Sequence, residues 1–91
     1  MMDFEQYANL AKAKNKIKSN NKLAICLGIS GSALNMFIKK KSTPSPETTL
    51  KLAKMAGYEE KEVILNLLID RYKDSPSVQN VLIDIKNLTL K

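Results

Sequence analysis

The chain has 91 residues, which is enough for one domain, since soluble domains commonly run to about 100–150 residues. Its single cysteine excludes an internal disulfide, and the lack of histidine removes the usual zinc ligand sets. The net charge of +6 is unevenly carried: residues 1–57 hold ten lysines against three carboxylates (+7), whereas residues 58–91 hold five cations against six carboxylates (−1).

A basic half suits a polyanion, because each neutralised phosphate releases condensed counterions. Lysine used as ordinary surface filler gives the same count, so the charge gains meaning only beside a motif. The first 20 residues hold no apolar run of the kind a secretion signal needs. The longest apolar stretch, Val63 to Ile69 with Asn66 inside it, falls far short of the about 20 residues that span a bilayer. A cytoplasmic protein with no membrane attachment is expected. A chain this short buries only about 60% of its unfolded surface, so added stability must come from dense helix packing or from a partner chain.

Helical periodicity dominates and predicts an all-α fold of five to six helices. A first helix, capped by Asp3 and running to about Lys14, places Phe4, Tyr7, Ala8 and Ala11 on one face. Ile17 is expected to plug the core from the following connection. Ser19, Asn20 and Asn21 are cap-type residues that open a second helix, which Gly28 ends. Ser30 caps a third helix carrying Ala33, Leu34, Phe37 and Ile38, with Lys39, Lys40 and Lys41 at the negative end of its dipole. The stretch Ser42-Thr43-Pro44-Ser45-Pro46 cannot continue that helix, because the residue before each proline is pushed out of the α region. A fourth helix begins near Pro46 and ends at Gly57, with Leu50, Ala53, Met55 and Ala56 as its expected core face. A fifth runs from Glu59 to about Lys73, and a sixth from Pro76 to about Leu88, with the break at Asp74-Ser75-Pro76. No internal repeat, low-complexity tract or flexible linker interrupts them.

The diagnostic stretch is Leu23 to Phe37. Ala24 is small where two helices would cross, Gly28 suits a left-handed turn, Ile29 fills the angle, Ser30 caps the next helix, and Leu34 and Phe37 lie on its inner side. Such a unit presents the first turns of its second helix to the DNA major groove.

These residues resemble the phage repressor and Cro-like helix-turn-helix family, whose core reads L-A-x-x-L-G-[VI]-S-x-x-x-[IL]-x-x-[WYF]. Pro44 and the Leu50, Ala53, Gly57 spacing resemble that family's following connection and helix, so the likeness covers about the first 57 residues. Arg71 to Pro76 and the helix after them look more weakly like the tail of short phage-encoded members. The resemblance implies a helix-turn-helix DNA-binding core over 1–57, with 58–91 completing a single compact domain. It implies base contacts from the positions after the helix cap, which are Gly31, Ser32, Asn35 and Met36. It also implies a phosphate contact from Asn20, joined by Lys22, Ser30, Lys39, Lys40 and Lys41. This chain departs from the usual pattern: the recognition helix has no arginine for the common bidentate guanine contact. Asn35 suits adenine, Met36 a thymine methyl, and Ser32 discriminates poorly. With few direct readers, DNA shape and steep salt dependence gain weight. The plain alternative for Ser32, Asn35 and the lysine run is solvated surface, and for Met36 a core edge or dimer contact.

In the second half, Val63, Ile64, Leu65, Leu67, Leu68 and Ile69 surround the fifth helix, so burial on more than one side is expected. Val78, Val81, Ile85 and Leu88 are spaced 3-4-3, the seam of a helix pair, with Leu82 beside them. Either these helices wrap the back of the motif or Leu68, Val78, Val81, Leu82, Ile85 and Leu88 form a homodimer interface. A two-fold dimer would present two recognition helices to half-sites about 34 Å apart on double-stranded DNA. Ile25 and Cys26 stand where the family has polar residues, and mark a place for a terminal helix to pack.

Enzymatic activity is not expected. No histidine is present to activate the lone thiol, no glycine-rich loop cradles phosphates, and Glu59, Glu60 and Glu62 suit a helix start. No cofactor or metal is implied. The reading is a dimeric transcriptional regulator, a repressor that excludes RNA polymerase or an activator that touches it. The rival is a protein-interaction module, an antirepressor or an inhibitor of a host defence complex, on the same scaffold. A regulator that also meets a protein antagonist combines the two.

Overall fold

A computed structural model describes residues 2–89, and they form six helices with no strand among the described residues. These are α1 (Phe4–Lys14), α2 (Asn20–Leu27), α3 (Gly31–Ile38), α4 (Pro46–Ala56), α5 (Glu60–Arg71) and α6 (Pro76–Thr89). The outer ends of the two expected halves, at residues 1 and 91, lie outside the described residues.

Local chemistry sets the starts. Asp3 accepts from the Gln6 amide at 3.0 Å while the Gln6 side chain accepts from the Asp3 amide at 2.9 Å, a reciprocal capping box. Ser19, Ser30 and Ser45 each accept an amide proton from three residues on, and Pro46 occupies the first turn of α4. α5 differs, since Glu59 stands at the cap position without a side-chain bond to the helix. Its carboxylate, with Glu60 and Glu62, favours the helix dipole only through charge. All three stand at the helix start, as their sequence positions suggest.

The core lies where α1 packs along α4, with α5 packed on α4 and reaching Tyr7 of α1 through Asn66, and the α2–α3 pair against α1. Phe4, Tyr7, Ala8 and Ala11 supply one wall, and Leu23, Ala24, Leu27 and Leu34 the next. Ile17, Ile29 and Phe37 close its edges, as their sequence positions predict. The inner face of α4 is turned relative to expectation. Leu52, Ala53 and Ala56 are fully enclosed, while Leu50 and Met55 are half-buried. Thr48 and Thr49 extend that face because Ser45 satisfies both hydroxyls, by Oγ to Thr48 and by its carbonyl to Thr49, each at 3.1 Å. Phe4 meets Phe37, and Tyr7 meets Tyr58, edge to face at 5.5 and 5.6 Å.

One polar pair crosses the interior. Asn66 of α5 donates Nδ2–H to the Tyr7 hydroxyl at 2.6 Å, and its Oδ1 is buried without a hydrogen-bond partner. Burial pushes the Tyr7 phenol above its usual pKa of 10.0, against the lowering effect of the Asn66 bond.

α6 packs on α5 and on no other helix to a comparable extent. Gln79 donates to the Ile69 carbonyl at 3.1 Å, and Leu82, Ile83 and Lys86 share the half-buried side. The expected covering of Ile25 and Cys26 by a terminal helix therefore does not occur; both are exposed, Ile25 at 76%. Among the described residues no single helix is long and apolar enough to cross a membrane.

Candidate nucleic-acid interface

Two short helices and the turn between them build the site. Gly28 stops α2 in the left-handed region at φ +72°, and its amide reaches back to the last turn. An added β-carbon there would be strained and would touch the Lys51 ammonium at 3.4 Å. Ile29 then drops into the core edge and Ser30 opens α3. The axes of α2 and α3 turn by 104° across this three-residue connection, inside the range of about 90–120° for a helix-turn-helix.

α3 is held from one side. Leu34 is fully buried, Phe37 and Ile38 are half-buried, and Ser32, Asn35, Met36 and Lys39 are exposed. At three- and four-residue spacing those four share one helix face. No later helix covers that face, since α3 has its main contacts with α2 and α1. Met36, at 40% exposure, belongs to this outer face and not to the core edge. Gly31 has a packing reason: a β-carbon there would sit 2.9 Å from the Asn21 side-chain oxygen. The first turns of α2 and α3 thus touch through Asn21, a residue that the sequence marks only as cap-type.

The surroundings are basic. From Gln6 to Pro46 the chain holds eight lysines and no carboxylate side chain. Asn20 is half-buried and its Oδ1 accepts from the Lys12 ammonium at 2.8 Å, which draws a lysine of α1 to the start of α2. Ser30 and Lys22 are exposed beside it, and Lys39 and Lys41 are exposed past the other end of α3.

Lys40 behaves differently from its neighbours. Its ammonium donates to Asp70 Oδ1 at 3.1 Å and lies 3.6 Å from Asp3 Oδ2, and the Asp70 bond holds its pKa above the ordinary lysine value. Nothing local in the sequence signals this, because the partners are 37 and 30 residues away. An open groove of about 220 Å³ adjoins the pair, lined in part by Phe4, Phe37, Leu67 and Arg71. The only arginine, remote in sequence, is thereby brought beside the end of α3.

The expected interface residues of the second half divide into two sets. Val78, Val81, Ile85 and Leu88 form an exposed stripe along α6, from 42% to 77% open, whereas Leu68 and Leu82 are half-buried near the α5–α6 seam. Among the described residues no group of three metal-ligating side chains comes together. Compared with known proteins, the chain matches no family model, no curated relative and no solved structure.

Proposed function

We propose that this protein is a double-stranded DNA-binding transcriptional regulator of the repressor type, acting in the cytoplasm as a homodimer without catalytic activity. The observation that carries the reading is the uncovered outer face of α3, set at 104° to α2, with Lys22, Lys39 and Lys41 exposed around it and only Lys40 paired with carboxylates. A rod of that size fits the major groove, whose width is about 12 Å.

In this mechanism Asn35 reads adenine through its amide, Met36 meets a thymine methyl, and Ser32 and the bare Gly31 allow close approach. Asn20, with its oxygen already held by Lys12, keeps amide hydrogens for a phosphate; Lys22, Ser30, Lys39 and Lys41 contribute further backbone contacts. Such contacts set position on the duplex, and sequence preference comes from the few base readers and from DNA shape. The α6 stripe pairs two copies, and promoter occupancy excludes RNA polymerase.

A gel-shift titration over salt, with DNA upstream of its own gene and with a random duplex, tests the reading. Retention with a log–log salt slope of several units and a preference for one duplex is expected. No retention of either duplex at low salt overturns it. That outcome favours the second reading, a protein-interaction module, for which the exposed Ile25, Met36 and α6 stripe speak.

A further inference from the structure

We propose that Lys40 is a positioning residue that ties the end of α3 to α1 and α5, and that it does this in place of a phosphate contact. Three independent features of the backbone and side chain lead there.

The first is the way α3 ends. Lys41 donates its amide to the Met36 carbonyl at 2.9 Å and Lys40 donates to Phe37 at 3.1 Å, the paired bonds of a Schellman ending. That ending puts its pivot residue in the left-handed region, where glycine is favoured because a β-carbon crowds the backbone. The pivot here is Lys40, at φ +61°. Lys16 ends α1 in the same way at φ +55°, so the turn places the Lys40 side chain and the tie rests on what its ammonium meets.

The second is what holds it. One ammonium joins Asp70, next to last in α5, and Asp3, the cap of α1. The ends of three helices meet on a single cation. The third is what surrounds the bridge. α3 and α5 otherwise scarcely touch, and the open groove lined by Phe37, Leu67 and Asp70 lies where packing would have joined them. The Lys40–Asp70 pair therefore carries an α3–α5 connection that hydrocarbon does not, whereas Phe4 against Phe37 already joins α3 to α1. They also offset the charge: two carboxylates beside one ammonium leave no net attraction for a phosphate, in contrast to Lys39 and Lys41.

The test uses the full chain with Lys40→Met, Asp70→Asn, the double variant and Lys40→Gly. Melting needs no DNA and stands apart from the regulator reading. Each single change is expected to lower Tm by about 2–4 °C, Lys40→Met at least as far as Asp70→Asn because it breaks both pairs, the double no further than Lys40→Met, and Lys40→Gly is expected to melt above Lys40→Met. Additive losses, or a glycine variant that melts below the methionine one, overturn the positioning role. The DNA arm rests on the regulator reading and uses a random 30-base-pair duplex titrated with salt. Lys40→Met is expected to leave the salt slope unchanged and Asp70→Asn to weaken binding. A slope reduced by about one unit in Lys40→Met, or tighter binding by Asp70→Asn, shows a phosphate contact and overturns the proposal. If the wild-type chain retains no duplex, the regulator reading fails and the melting cycle alone decides on Lys40.

Discussion

The two halves of this chain treat apolar side chains in opposite ways. From α1 to α4 the large aliphatics that face inward are enclosed, with Leu23, Leu27, Leu34 and Leu52 at no more than 1% exposure, and the outside is mostly lysine, amide and hydroxyl, Ile25 and Met36 being the large apolar exceptions. After Glu60 the rule holds on one side only. Val63 and Ile69 are enclosed, but α6 turns Val78, Val81, Ile85 and Leu88 outward while its other side rests on α5. A finished apolar interior with a polar exterior suits a polar ligand, whereas an uncharged apolar stripe at helix-pair spacing suits another protein surface. The division of labour proposed above, DNA on the first half and a second copy on the last helix, follows from that contrast.

The contrast can be broken by stability alone. Leu34→Ala is expected to cost about 2–5 kcal/mol, and Val81→Ala in the dilute protein less than about 0.5 kcal/mol, both by urea unfolding. Equal costs would mean that α6 is part of the same interior. Next in size is Tyr7→Phe, expected to cost about 1–3 kcal/mol because it strands the Asn66 amide in the core. The same variant tests the alkaline limb. Tyr7 has a raised pKa in the fold, so the unfolded chain loses its proton first, and stability that is whole below pH 10.0 falls as pH climbs above it. Lys40 has the same sign: its contribution is whole below 10.5 and is lost as pH rises through its higher folded value. Tyr7→Phe should flatten that limb in part, as read from unfolding free energy against pH.

Dimerisation sharpens the contrast from the other side. Val81→Asp with Ile85→Asp is expected to convert a sedimenting dimer to a monomer, with helix content kept and the concentration dependence of Tm abolished. A wild-type chain that is monomeric at every concentration removes the dimer from the proposal. Two changes on the basic half act on DNA binding and leave stability as it is. Asn35→Ala is expected to narrow the gap between preferred and random duplexes by about 1–3 kcal/mol. Lys39→Ala should weaken both duplexes alike and lower the salt slope by about one unit.

What was legible in the sequence is what local chemistry decides. Asp3, Ser30, Gly28, Gly57 and Pro46 mark helix ends by side-chain reach and backbone freedom, which depend on neighbours three or four residues away. The outer face of α3 followed from the same spacing. The phase of α4 did not, because Leu50 and Leu52 flank Lys51 on different faces, and Thr48 and Thr49 read as polar until Ser45 is known to satisfy them. The path of α6 over α5 was equally hidden, so Ile25 and Cys26 were assigned a cover that is absent. Lys40 with Asp70, Asn21 against Gly31, and Tyr7 with Asn66 join distant parts of the chain, and no local pattern encodes such meetings.

The Asn66–Tyr7 bond has a consequence for how the halves are aligned. Sliding α5 along its neighbours by one turn would bring the enclosed Val63 or Ile69 towards that level in place of Asn66 and leave the phenol hydroxyl facing hydrocarbon. Greasy surfaces alone tolerate several such offsets; one hydrogen-bonded rung rejects all but one. The level at which α5 meets α1 is therefore favoured by a bond inside the molecule and not by hydrocarbon contact alone.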